Sequence, residues 1–107
     1  MSSSSPKQAT LLISGKVQGV FFRAHAAEEA ARLTLNGYAR NLPEGHVEAL
    51  VQGPEENIQS FIEWAKKGSP SAKVEKVEVV WEELSSPSSF TTTSIPTAKI
   101  YQDFRIY

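Results

Sequence analysis

The 107-residue sequence has the length of one domain with a modest hydrophobic core. It has 11 basic and 12 acidic residues, and the formal net charge of −1 argues against a nucleic-acid or anionic-membrane partner. The absence of cysteine excludes disulfides, a thiolate nucleophile and thiolate metal ligands, and no apolar run approaches the ~20 residues of a membrane span. The N-terminus lacks the apolar core of a secretory signal, so we expect a cytoplasmic protein.

The first half of the chain predicts a tail, a strand, a helix and a hairpin. The serine-rich residues 1–8 have little to bury and are predicted to form a mobile tail ahead of a single domain at residues 9–107. An aliphatic run predicts a strand, and an alanine-rich run with apolar residues at helical spacing predicts a helix that stops at Asn36-Gly37. These segments are residues 9–14 and 22–36, followed by two hairpin strands at residues 37–41 and 46–52.

The second half predicts a further helix and two strands. Pro54 at the first position, acidic residues in the first turn and two lysines before Gly68 are typical of a complete helix. An alternating strand follows at residues 73–83, then a long polar loop at residues 84–103 and a short strand at residues 104–107. The order β-α-β-β-α-β plus a final strand favours an α+β, ferredoxin-like sandwich: an antiparallel sheet with two helices on one face.

The loop between the first strand and the first helix has the features of an anion site. Gly15 and Gly19 permit backbone conformations that point successive N–H groups to one side, and the helix N-terminus adds unsatisfied N–H groups. Arg23, just inside the helix, can bind a phosphate with its two-pronged guanidinium. An ordinary tight turn without a ligand fits the same pattern, so the spacing alone leaves both interpretations open.

Two stretches resemble the signatures of the acylphosphatase family. Residues 15–23, Gly-Lys-Val-Gln-Gly-Val-Phe-Phe-Arg, are similar to the family pattern G-x-V-Q-G-V-x-F-R. Residues 37–48 are similar to the pattern G-x-x-x-N-x-x-x-G-x-V-E, with Asn41 at its asparagine. The resemblance covers residues 9–83 and 104–107, whereas residues 84–103 do not resemble the family.

The resemblance implies an enzyme that hydrolyses acyl phosphates to carboxylate and phosphate, without cofactor or metal. It implies that Arg23 binds the substrate phosphate, that Asn41 orients the attacking water, and that the final strand lies on a sheet edge. The residues predicted to bind the phosphate are Gly15, Val17, Gln18, Gly19, Val20, Phe21, Phe22 and Arg23. The expected partners are a small acyl phosphate and phosphate or sulfate as competing anions, with no nucleic acid, no membrane and a monomeric state.

Two other functions share features with this prediction, and the sequence differs from the family pattern at Ala26. A non-catalytic phosphate-binding module on the same fold fits the cradle, and the RNA-recognition fold shares the element order but stacks bases on aromatic residues that the predicted central strands lack. Ala26 stands where the family often has a hydroxyl residue, which predicts a looser site. The resemblance also suggests that the chain end at Tyr107 places its carboxylate near Arg23.

Overall fold

A computed structural model describes residues 7–19, 21–83 and 101–107 of the chain. In this part of the chain five strands and two helices follow one another in the order β-α-β-β-α-β-β. Their bounds are β1 Lys7–Lys16, α1 Phe22–Arg32, β2 Asn36–Asn41, β3 Val47–Gly53, α2 Glu55–Lys67, β4 Lys73–Glu83 and β5 Phe104–Ile106. The serine-rich segment up to residue 6 and most of the predicted polar loop, residues 84–100, lie outside the described residues.

The strands form one sheet in the order β4-β1-β3-β2-β5. The first four strands pair antiparallel, whereas β5 pairs parallel to β2 on the sheet edge, so the complete sheet is mixed. Core residues of both helices pack against the same alternate residues of the strands, which places both helices on one face. The predicted ferredoxin-like fold with a C-terminal edge strand is therefore confirmed.

The core follows from the two periodicities of the sequence. Alternate β1 residues Ala9, Leu11 and Ile13 are fully buried beneath the helices. The helices contribute Phe22, Ala26 and Ala30 from α1, and Ile58, Phe61, Ile62 and Ala65 from α2. Small alanines bring α1 close to the sheet, and Ala26 lies fully buried there. Neither helix in the described part of the chain has the length and apolarity needed to span a membrane.

β1 begins two residues earlier than the apolar run predicts. Lys7 donates to Glu83 at 2.7 Å, and the side chain of Gln8 bonds to Glu82 on β4 at 2.6 Å. Gln8 also accepts from Gln52 on β3 at 2.9 Å, so its buried amide is satisfied on both sides. Polar residues therefore extend the strand through hydrogen bonds, a possibility that a search for apolar residues overlooks.

The prediction that α1 continues to Asn36 is wrong because the helix ends at Arg32. Thr34 adopts a left-handed conformation with φ 59°, and the Leu35 and Thr34 amides donate to Ala30 and Ala31. These two bonds form a Schellman motif around a residue that is not glycine. The turn directs Leu35, only 2% exposed, into the core, and its burial offsets the strain at Thr34.

Gly15 lies inside β1, at a register shift between Ser14 and Gly15 where β1 meets β4. A Cβ atom there would be 2.1 Å from the Lys73 carbonyl oxygen, and the φ of +123° is unfavourable for any side chain. The glycine is therefore required by the close approach of two backbones.

We expect Gly15→Ala to lower the free energy of unfolding by about 3 kcal/mol, because it combines backbone overlap with a positive φ. The matched control is Gly19→Ala, where φ is +75° but a Cβ would meet nothing within 4 Å. That control should cost only about 1 kcal/mol. Urea unfolding measures both losses, and equal losses would contradict the backbone-contact argument.

Candidate functional site

The loop from Val17 to Phe21 connects β1 to α1 and turns at two positive-φ residues, Gly19 and Phe21. Val17 is buried and anchors the loop to the core, whereas Gly19 and Phe21 are exposed. Phe21 occupies the N-cap of α1, where no side chain caps the helix. The first turn also carries no acidic residue, unlike that of α2, which contains Glu55 and Glu56. The amides of the first turn of α1 are thus uncapped by side chains and favour an anion.

Arg23 lies in this first turn and is partly buried. Its Nη1 donates a hydrogen bond to the main-chain oxygen of Tyr107. Among the described residues, no aspartate or glutamate side chain forms an ion pair with Arg23. One side of the guanidinium is therefore fixed while its charge is not neutralised by an acidic side chain.

Tyr107 is itself held in place by the sheet edge. Its amide donates to the Ala39 carbonyl at 2.9 Å, which continues the pairing of β5 with β2. Its ring lies against Tyr38, with 5.8 Å between the ring centroids. The acceptor that restrains Arg23 is thus positioned by main-chain and aromatic contacts together.

Asn41 lies at the end of β2, on the same side of the sheet as the helices. Alternation along the strand places it on the face of buried Ala39, whereas Arg40 points to the other face. The strand register aligns Ile13, Val47 and Asn41 in one row across β1, β3 and β2. At about 4.8 Å between strands, this row puts Asn41 about 10 Å from Ile13, the last buried residue of β1, which precedes the start of the loop by four positions.

Gln18 ties the loop to the β2–β3 hairpin. Its Nε2 donates to the Leu42 carbonyl at 2.8 Å and to the His46 carbonyl at 2.9 Å. The same two residues are joined by the bond from the Leu42 amide to the His46 carbonyl, which closes the base of the hairpin turn. Because Leu42 follows Asn41 directly, the Gln18 side chain fixes the distance between the loop and the end of β2.

Arg23 differs in its charge environment from Arg40, the arginine beside Asn41 in sequence. Arg40 donates its Nε to Glu48 on the neighbouring strand, and this hydrogen bond and the attraction of the carboxylate raise the pKa of Arg40. The Arg40 charge is therefore paired on the open face of the sheet. Arg23 remains available to an external anion on the helix face.

An open cavity of about 270 Å³ lies at the junction of the loop, the helix and the sheet edge. It is lined by Val17, Gly19, Phe21, Phe22, Arg23, Ala24 and Ile106. The lining combines the Arg23 cation with apolar side chains. Among the described residues, no group of three histidine, cysteine or acidic side chains is arranged to hold a metal.

The structure brings together part of the predicted set. Val17, Gly19, Phe21, Phe22 and Arg23 line one cavity, and the Gln18 side chain links their loop to the strand of Asn41. Gly15 lies in the β1–β4 ladder, outside the loop, and Val20 lies outside the described residues. Ile106 was not among the predicted site residues, although alternation in the final strand could have indicated that Phe104 and Ile106 share the helix face.

The sequence matches the family model described as Acylphosphatase over residues 9–106. An acylphosphatase from Pyrobaculum islandicum is 45% identical over 100 residues, which cover 92% of this chain and 92% of that protein. An acylphosphatase from Thermococcus kodakarensis is 49% identical over 76 residues, covering 71% of this chain and 84% of that protein. The solved structure of an acylphosphatase from Coxiella burnetii superposes with a TM-score of 0.77 at 33% identity, covering 100% of both chains.

We expect Gln18→Leu to lower the free energy of unfolding by about 2 kcal/mol, because two carbonyls each lose a donor. Hydrogen exchange at the Leu42 and Gly45 amides of the hairpin turn should become faster. The matched control is Gln59→Leu on the exposed face of α2, which should leave both measurements unchanged. Unaltered exchange in Gln18→Leu would show that the hairpin holds its position without this side chain.

Proposed function

Since this chain belongs to the acylphosphatase family and hydrolyses acyl phosphates, we propose that Arg23 and the 17–22 loop bind the substrate phosphate while Asn41 positions the attacking water. The observation that carries the proposal is the uncapped first turn of α1. This turn lines the cavity with main-chain amides that no side chain caps. It also contributes Arg23, which pairs with no aspartate or glutamate side chain in the described part of the chain. Both kinds of donor are well suited to binding a phosphate group.

The phosphate site is assembled from main-chain and side-chain donors. The amides of Phe22 and Arg23 belong to the first helical turn, and the positive φ values of Gly19 and Phe21 turn the loop around its start. The bond to Tyr107 restrains one arm of the Arg23 guanidinium before substrate binds. A restrained cation loses less conformational entropy on binding and retains its orientation in the transition state.

Asn41 is suited to orient water rather than to remove its proton. Its amide oxygen accepts one hydrogen bond from water, and its NH₂ group donates elsewhere, but the side chain does not titrate. It is exposed at the strand end, on the face of the sheet that carries the cavity. The Gln18 contacts with the hairpin base support its position relative to the loop.

The reaction needs little more than positioning and charge neutralisation. The water oxygen forms a bond to phosphorus as the bond from phosphorus to the acyl oxygen breaks, and the carboxylate leaves with the electron pair. The carboxylate is a weak base, so a strong general acid is unnecessary. The water proton passes to a phosphate oxygen of the substrate. Arg23 and the loop amides stabilise the negative charge on the phosphoryl oxygens throughout.

Some features expected from the sequence stay predictions. Phosphate and sulfate are expected to compete for the same donors, because both are tetrahedral oxyanions. The monomeric state and the cytoplasmic location are likewise expected from the sequence alone. The alternative of a phosphate-binding module without turnover is not favoured, because the sequence matches the acylphosphatase family model over residues 9–106.

We expect Asn41→Ala to lower kcat by about 10²–10³, since one aligned transition-state interaction is lost. Arg23→Ala should lower kcat/KM by about 10³ or more, since it removes both the cation and the hydrogen bonds to the phosphoryl group. Hydrolysis of acetyl phosphate in the presence of EDTA measures both effects.

The matched control is Arg40→Ala, an arginine beside Asn41 whose side chain points to the other face and binds Glu48. It should retain kcat and KM within about twofold. Full activity of Asn41→Ala would make that residue structural, and full activity of Arg23→Ala would reject the proposed phosphate site.

Inorganic phosphate should stabilise the folded protein through the same site. At ten times its Kd, one bound phosphate adds about 1.4 kcal/mol to the free energy of unfolding. Thermal unfolding at constant ionic strength should show this gain in the original chain and in Arg40→Ala, but not in Arg23→Ala. An equal gain in Arg23→Ala would place the bound phosphate elsewhere.

A further inference from the structure

Phe21 is a large aromatic side chain in an unfavourable position. It is 79% exposed, more than any other large apolar residue in the described part of the chain. Its backbone also has φ 60° and ψ 25°, the left-handed region that bulky residues rarely occupy. Neither folding nor capping explains this residue, because its side chain makes no cap hydrogen bond and lies largely in solvent. Strain combined with exposure at one position is typical of a functional contact.

The Phe21 side chain lines the cavity that contains Arg23. Ile106, 43% exposed, lies on the same cavity from the sheet edge. The pairing of Ile106 with Ala39 places it on the helix face of β5. Two exposed apolar side chains from distant parts of the sequence thus border the cavity of the cation.

The cavity has more space than a phosphate group needs. Its volume is about 270 Å³, and a single water needs only about 10–15 Å³ of such space, whereas a phosphate has just five non-hydrogen atoms. If Arg23 and the helix amides hold the phosphate, the remaining space lies along the apolar part of the lining. An acyl group attached to that phosphate would occupy it.

We propose that Phe21 and Ile106 form an apolar wall that binds the acyl group of the substrate and sets a preference for aromatic and longer alkyl acyl phosphates over acetyl phosphate. This inference rests on the proposed phosphate site, because the wall selects a substrate only when Arg23 fixes the other end. An aromatic acyl group gains by removing its own surface and that of Phe21 from water, and its ring stacks on the phenyl ring. Acetyl has one methyl group and gains little from either term.

The test compares the ratio of kcat/KM for benzoyl phosphate to kcat/KM for acetyl phosphate. Phe21→Asn keeps the main-chain amide and suits the left-handed conformation, so the loop retains its course. Ile106→Ala shortens the opposite side of the wall. Val80→Ser is the matched control, because it removes another exposed apolar side chain, at 59% exposure, from a strand on the far sheet edge.

The ratio should fall about tenfold in Phe21→Asn and about threefold in Ile106→Ala, with no change in Val80→Ser. Inhibition of acetyl phosphate hydrolysis by inorganic phosphate should persist in Phe21→Asn, which shows that the phosphate site is intact. An unchanged ratio, or an equal loss for both substrates, would contradict the proposed binding of the acyl group by the apolar wall. Phe21 would then be a loop residue or a contact for another molecule. Loss of phosphate inhibition in Arg23→Ala, measured alongside, tests the phosphate site separately.

Discussion

The pairing of β3 with both β1 and β2 is the constraint on which the site depends. Because β3 runs antiparallel to each of them, β1 and β2 run in the same direction, and their carboxyl ends lie at the same end of the sheet. The loop that follows β1 and the asparagine that ends β2 therefore lie at the same end of the sheet, although 18 positions separate Arg23 from Asn41 in the sequence. A change of register by one residue would turn Asn41 to the opposite face and remove it from the cavity.

Hydrogen bonds of two side chains position the loop and Arg23 beyond what the strand register alone does. Gln18 joins the loop to two carbonyls at the base of the hairpin, and Tyr107 accepts a hydrogen bond from Arg23. Both use main-chain oxygens as acceptors, so the charge of Arg23 is oriented without an acidic side chain in the described part of the chain. An acidic partner would orient the guanidinium equally well but would reduce its attraction for an anion. Among the described residues, Arg23 therefore has no side-chain carboxylate that would compete with a bound phosphate.

The loop and first helical turn at the site also have features that lower the stability of the fold. Gly19 and Phe21 both have positive φ, and the first turn of α1 lacks the acidic residues that complement α2. The core compensates for these costs, since α1 buries Phe22, Ala26 and Ala30 within about three turns of the strained loop. Buried Ala26 belongs to that packing, so a small residue there supports close contact between helix and sheet. A rigid core thus carries a loop whose conformation favours binding over stability.

The sequence by itself determined the element order, the two signature stretches and the identity of the cation and the asparagine. Those features are local, since strand alternation, helical spacing and glycine placement are each visible within about ten residues. The tertiary structure decided the parallel pairing of β5, the start of β1 at Lys7 and the end of α1 at Arg32. It also decided the hydrogen bonds of the Gln18 side chain and the place of Ile106 in the cavity lining. The Arg23 contact joins positions 84 residues apart and the Gln18 contacts join positions 24 and 28 apart. Such bonds leave no periodic trace in the sequence, because a side chain that donates to a main-chain carbonyl requires no particular residue as its partner.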